Sequence, residues 1–261
     1  MYKVGQRRRI FAHHFYTETP IDCTAPAPLM LLSQHVREAG FKVVLTGEGA
    51  DEVIGGYDLF KEAKIWRFIS RRPNSKMRPR ILVRLYPYFK NSPALGCSFT
   101  KSFSSAGMEH RDQPFFAHIP RWAKTHRIAQ FFSADVREKI GEVDPHAAIL
   151  PTLPIGINHW PLMGRDQYIE AHTLMPGYLL CTQGDRVAMA NFDDSRAPVL
   201  NHRVIEFANH LPLQLKMRGL TAKYLLKKSI KGLLPESVRT CAKLPVVRCI
   251  ALLLDSGKSG G

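Results

Sequence analysis

The stretch Phe41-Lys42-Val43-Val44-Leu45-Thr46-Gly47-Glu48-Gly49-Ala50-Asp51-Glu52 decides the reading of the fold. Its first half is a short β-branched run suited to a buried strand, and its second half is an acidic turn spaced by glycines. Upstream, Pro26 and Pro28 can open a helix, because proline is tolerated in a first turn. Leu29, Leu32, Val36 and Ala39 then recur at three- and four-residue steps, with Arg37 and Glu38 facing away. Gly40 stops that helix as a left-handed cap does. A helix passing through one glycine into a buried strand is half of an α/β unit, which implies a parallel sheet.

The turn after the strand carries the chemistry. In open α/β sheets the ligand crevice lies beyond the carboxyl ends of the strands. Gly47 and Gly49 let the backbone turn tightly and approach a ligand closely. Glu48, Asp51 and Glu52 gather three carboxylates at that edge, and hard cations such as Mg²⁺ take carboxylate oxygens while bridging to phosphates. The same acids also suit the first turn of the next helix, so spacing alone leaves both readings open.

Further along, Pro176 and Gly177 introduce a helix on which Leu179, Leu180, Gln183, Val187 and Ala190 share a face. Met189 and Val187 read as core, and Asp185-Arg186 as an internal ion pair or as part of a ligand site. Asn201 can cap a helix starting near His202, with Val204, Ile205, Phe207 and Ala208 as its apolar face and Leu211-Pro212 as its end. Tyr224, Leu225, Ile230 and Leu233 line another helix, ended by Gly232 and Pro235. The second half is thus expected to form a helical lobe.

Bulk properties narrow the class without deciding it. A chain of 261 residues with 45% apolar residues can bury a sizeable core. Its five cysteines are odd in number, scattered, and contain no CxxC pair, so neither a disulfide framework nor a zinc knuckle is indicated, and a reducing cytoplasm is the simplest setting. Arg7-Arg8-Arg9 is followed by no apolar stretch, so no signal peptide is read there. No apolar run approaches the roughly 18 residues that cross a bilayer, and a soluble protein is expected. The formal charge of +15 is concentrated in Arg7–Arg9 and among Arg71, Arg72, Lys76, Arg78, Arg80 and Arg84. Without a nucleic-acid fold signature such runs are solvated faces, and no nucleic-acid partner is expected.

Leu45–Glu52 followed by Gly55-Gly56-Tyr57 resembles the GEGADE…GGY signature of the glutamine-dependent asparagine synthetase family. Pro114–Trp122 and Phe131-Phe132-Ser133 are similar to a segment of its bacterial members. Asp166-Gln167-Tyr168 and Gln183–Ala190 resemble its central helix, and Arg196, Pro198, Leu200 and His202 its R-x-P-F-L-D-H segment. Lys216–Leu220 and Lys223–Lys227 match in order and spacing. The resemblance covers roughly residues 20–243.

That resemblance implies an α/β fold of the ATP-pyrophosphatase (adenine nucleotide α-hydrolase-like) type, with an incomplete parallel sheet and a helical C-terminal lobe. Residues 1–25 would be an irregular lead-in, 26–243 the partial domain, and 244–261 a divergent tail. It implies ATP and Mg²⁺ as cofactors, with aspartate and ammonia as the reacting partners and no membrane. The assembly leaves room for a homodimer. The aspartate side chain would attack the α-phosphorus of ATP, and ammonia would then displace AMP from a β-aspartyl-adenylate. On this pattern Thr46, Gly47 and Gly49 contact the nucleotide, Glu48 takes a proton from ammonia, and Asp51 binds Mg²⁺. Lys243 aligns with the family's R-P-K lysine as a second catalytic residue, or is a surface lysine.

The sequence also departs from the family. No SGGxDS-like pyrophosphate loop precedes Gly47, and no cysteine directly follows Met1, so the glutaminase half that releases ammonia is missing from what is read here. Ser256–Gly261 is not a P-loop, because no glycine stands five residues ahead of Gly257. Val199 and Asn201 replace the family's Phe and Asp, and Phe192, Asp193 and Asp194 disturb the run before Arg196. These departures predict impaired turnover by this chain. Two other functions stay open: a related amidotransferase or cyclase acting on another carboxylate, and a non-catalytic remnant or basic binding module.

Overall fold

A computed structural model describes residues 14–19, 25–85, 110–141 and 144–241. The helices in chain order are α1 (His14–Thr17), α2 (Pro26–Glu38), α3 (Ala50–Ile54), α4 (Asp58–Ser70), α5 (Ile119–His126), α6 (Ala134–Ile140) and α7 (Pro145–Ile149). They continue as α8 (Leu162–Thr173), α9 (Arg186–Met189), α10 (His202–His210), α11 (Leu213–Lys216), α12 (Tyr224–Ser229) and α13 (Glu236–Thr240). Between α8 and α9 lies a π-helix, Met175–Asp185. The two strands described are β1 (Val43–Leu45) and β2 (Asp194–Arg196), paired in parallel. The fold is therefore α/β, mostly helical, with a small parallel sheet. No helix among the described residues is long and apolar enough to cross a membrane.

The chain divides into two compact units. The first comprises Met1–Val53, Glu170–His210 and Leu226–Gly261. Helix α2 opens at Pro26 and Gly40 follows it with φ +85, so both expected boundaries hold. The register β1 to β2 pairs Val43 with Asp194, Val44 with Ser195 and Leu45 with Arg196. Two backbone bonds extend it at either end, Asp194 N–H to Lys42 O and Thr46 N–H to Arg196 O, both 2.8 Å. The parallel pairing was expected, but the burial of β1 was not met: Leu45 is 73% exposed, and Phe41 and Val43 are also open. Parallel strands are buried when helices and neighbouring strands cover both faces, and among the described residues β1 has one strand neighbour.

The expected α-helix after Pro176 is wound instead as a π-helix for eleven residues, with Arg186 N–H donating to Cys181 O. The Thr182 hydroxyl donates to Gly177 O at 2.9 Å, reinforcing the wider turn. Val187 is core as expected, whereas Met189 is 61% exposed. The anticipated Asp185-Arg186 pair is also replaced. Arg186 reaches Glu18 at 3.1 Å and donates to Thr17 O at 2.9 Å, because the change of winding turns it toward α1. Asn201 caps α10 as read, its side-chain oxygen accepting from Arg203 N–H at 3.0 Å. Of the apolar face assigned to α10 only Ala208 is buried. Helix α12 ends at Ser229, earlier than its Gly232 and Pro235 signals.

The second unit comprises Ile54–Ile169 and Leu211–Leu225. Helix α4 organises it. Ile65, Trp66 and Ile69 pack with Leu82, Leu85 and Phe116, while Leu59, Phe60 and Ala63 pack with Ala117 and Met217. Each buried side chain of this size contributes roughly 1.5–3 kcal/mol by leaving water. A third cluster joins Phe115, Ile119, Ile149, Ile157 and Ile169. Charged groups are sunk among these clusters as well. Arg67 is paired with Asp166, and Lys216 donates to Gln167 Oε1 at 3.1 Å.

Candidate functional site

Period-two alternation along the two strands builds one wall of a pocket. Val44 and Thr46 point to the same face of β1, and Asp193 and Ser195 point to that face from the β2 side. Helix α2 supplies the facing wall with Leu29, Leu32, Ser33 and Val36, the i, i+3, i+4, i+7 set of one helical stripe. Gln183 and Gly184 of the π-helix and Val187 and Ala188 of α9 close the side. Glu48 stands at the edge. The pocket encloses ≈ 80 Å³, below the range of fully closed small-molecule sites, and opens to solvent at its mouth.

The walls are apolar and the polar groups are few. Thr46 anchors the carboxyl end of β1 through its backbone bond to Arg196 O. Two residues on, half-buried Glu48 has its carboxyl pushed above the ordinary 4.5, first by burial and then by the charges of Glu52 and Asp51. A carboxyl so shifted holds its proton to higher pH and is a stronger base once ionised. Gly49 has φ +82, and a Cβ there would meet Leu200 Cδ2 at 2.0 Å. Its close approach is thus to Leu200 rather than to open pocket. Gly47 has nothing within 4 Å of a hypothetical Cβ. Asp51 and Glu52 occupy the first turn of α3, where acids complement the helix N-terminus.

Of the residues singled out in the sequence, Thr46 and Glu48 therefore line the pocket. Gly47, Gly49 and Asp51 lie on the turn beside it and are not part of its lining, and Lys243 lies outside the described residues. Among the described residues no three His, Cys, Asp or Glu side chains converge as a metal cage. Glu48, Asp51 and Glu52 are nevertheless near enough to act on one another's charge. One or two such carboxylates plus phosphate oxygens are a donor set that fits Mg²⁺.

Sequence reasoning missed the polar floor. The Ser33 hydroxyl donates to Asp193 Oδ2 at 2.8 Å, and Asn191 Nδ2 donates to Ser33 Oγ at 3.1 Å and to Met30 O at 3.3 Å. Asp193 is 2% exposed and Ser33 9%. The signal for Ser33 was present: it is a polar residue inside the apolar stripe of α2. Asp193 had no such signal, since only the nonlocal pairing of β2 turns it inward.

Comparison with known proteins gives the family. The family model of asparagine synthase matches residues 8–250. Asparagine synthetase [glutamine-hydrolyzing] 1 of Bacillus subtilis (strain 168) is 26% identical over 235 residues, covering 88% of this chain and 34% of the relative. Asparagine synthetase [glutamine-hydrolyzing] 1 of Arabidopsis thaliana is 41% identical over 206 residues, covering 76% and 30%. Amidase chry2 of Gibberella zeae is 24% identical over 249 residues, covering 88% and 35%. The chain spans about a third of the length of the curated relatives it matches. No solved structure matches it. With its GEGADE turn at the carboxyl end of a parallel strand and a match over nearly all its residues, the chain belongs to the asparagine synthase family.

Proposed function

We propose that this chain carries the ATP-using synthetase half of a glutamine-dependent asparagine synthetase, on a sheet of the ATP-pyrophosphatase type. The observation that carries the proposal is Glu48, a half-buried carboxyl with raised pKa at the mouth of an apolar pocket beyond β1. The nucleotide sits against Thr46, with the backbone of Gly47 and Gly49 on the turn beside it. The side-chain carboxylate of aspartate attacks the α-phosphorus, pyrophosphate leaves, and a β-aspartyl-adenylate forms. Ammonia then adds to the acyl carbon, AMP departs with the bonding electrons, and ionised Glu48 accepts the surplus proton. A base with a pKa moved toward the working pH is the better catalyst for that step, and such help is typically worth about 10²–10⁴ in rate. Asp51, with phosphate oxygens, would hold Mg²⁺, which when bound offsets charge on the pyrophosphate. Lys243 would stabilise charge at the phosphate in the same way.

Ammonia in this scheme is released from glutamine by a glutaminase domain. Residues 1–46 contain no SGGxDS-like loop, whose backbone N–H groups would cradle the leaving group, so this stretch assayed on its own is expected to turn over poorly. A second reading, chemistry of the same kind on another carboxylate, is favoured by the amidase among the relatives.

The test is pyrophosphate release by the purified chain with ATP, Mg²⁺, aspartate and ammonia, against a Glu48→Ala control. The expected result is no release above the control, together with measurable ATP binding. Absence of nucleotide binding by the folded chain overturns the proposal. Release that depends on Glu48 overturns the impairment and shows that another segment grips the phosphates. Substituting other carboxylic acids for aspartate separates the two readings of the substrate.

A further inference from the structure

We infer that Asp193 sets the base specificity of the pocket, its free Oδ1 accepting a hydrogen bond from the exocyclic amine of an adenine. This rests on the nucleotide reading above. Asp193 is buried, its Oδ2 is held by Ser33, and its Oδ1 is buried with no hydrogen-bond partner among the described residues. A buried acceptor left unpaired is destabilising, so such an atom in a pocket wall calls for a donor from the ligand. The backbone works to place it. Phe192 sits at φ +59, a strained conformation for a bulky residue, while its ring is 76% exposed.

The distribution of polar groups gives the shape of the occupant. Asp193 and Ser33 form a floor, Leu29, Leu32, Val36, Val44 and Val187 form apolar walls, and Thr46 and Glu48 stand at the mouth. Along the sheet the register puts Asp193 level with Lys42, four residues before Thr46. That separation is roughly 13 Å at the rise of a strand, a span suited to an adenine amine at one end and an α-phosphate at the other. A molecule with a donor head, a flat apolar body and an anionic tail fits this order, and adenosine phosphates have it.

The experiment is calorimetric titration of the folded chain with ATP, with purine riboside 5′-triphosphate, which lacks only the amine, and with GTP. The wild-type chain is expected to bind ATP about 10- to 100-fold more tightly than the purine riboside analogue, the range for a hydrogen bond to a charged group. In Asp193→Ala that ratio should fall close to one, because the amine has lost its acceptor. If the alanine variant does not fold, Asp193→Ser is used, and the wild-type comparison needs no variant. Equal binding of ATP and the analogue by the wild type overturns this assignment and leaves the nucleotide site standing. Tighter binding of GTP than ATP overturns the choice of base, since a guanine also offers donors to a single carboxylate. Binding of none of the three overturns the nucleotide reading itself.

Discussion

Arg67 and Asp166, 99 residues apart in sequence, meet in the second unit as a fork on a fork, Nη1 to Oδ2 at 2.5 Å and Nη2 to Oδ1 at 2.7 Å. Asp166 serves a second guanidinium as well. Burial and the charge of Arg67 push Arg165 below its ordinary pKa, and Asp166 pulls it back up. Removing one partner of a buried pair costs about 3–5 kcal/mol, because the other charge stays behind. Asp166→Asn should therefore destabilise the chain by that amount in urea unfolding. The double variant Asp166→Asn with Arg67→Met should recover part of the loss. A single-variant cost below about 1 kcal/mol would show that the pair is solvated.

Glu48 is expected to trade stability for chemistry. Its folded-state pKa is raised, so its contribution to stability is fully present below 4.5 and is lost as pH rises through the folded value. Glu48→Gln should then melt slightly above wild type at pH 7–8 and no higher at pH 4. The gain should stay below about 1 kcal/mol, since the site is half-open to solvent. Thermal melts of both proteins at the two pH values decide it, and a variant that is less stable at pH 8 would show the carboxylate to be favourably paired.

Lys216 titrates in the opposite sense. Burial alone lowers its pKa from 10.5, and it is 2% exposed with a neutral amide as its hydrogen-bond acceptor. The unfolded chain therefore binds the extra proton between the two values, and stability from this group falls as pH drops through the folded one. Lys216→Met should match or exceed wild type at pH 7 by up to about 2 kcal/mol, and the gap should close toward pH 10. Urea midpoints at both pH values test this. A large loss at pH 7 would mean that the ammonium has an anionic partner.

Gly49 joins backbone strain to packing. Gly49→Ala forces a left-handed alanine and drives its Cβ into Leu200, for a cost of about 2–4 kcal/mol. Adding Leu200→Ala should relieve the clash and leave the strain, returning roughly half of the loss. If the second change restores nothing, Leu200 had already moved aside.

What could be read locally was read well. The helix opened by Pro26, the φ +85 glycine after it and the Asn201 cap are each set by a few neighbouring residues. Thr46 and Glu48 could be placed at the end of a strand for the same reason. Nonlocal features escaped. Asp194-Ser195-Arg196 has no strand propensity of its own and becomes β2 only by pairing with β1. The π-helix keeps apolar residues at spacings that an α-helix also allows, so the pattern could not reveal the change of winding. Asp193 looked like a blemish in a family motif because its direction depends on both.

The exposed apolar side chains of β1 bear on how this chain behaves in a tube. Three consecutive odd positions, Phe41, Val43 and Leu45, present apolar side chains beside a strand that has one neighbour among the described residues. An open, apolar edge is a template for another copy of itself. Self-association should rise with protein concentration, and Val43→Lys should raise the concentration at which turbidity sets in. Light scattering at matched concentrations would show it, and the +15 charge makes added salt the condition that brings it on soonest.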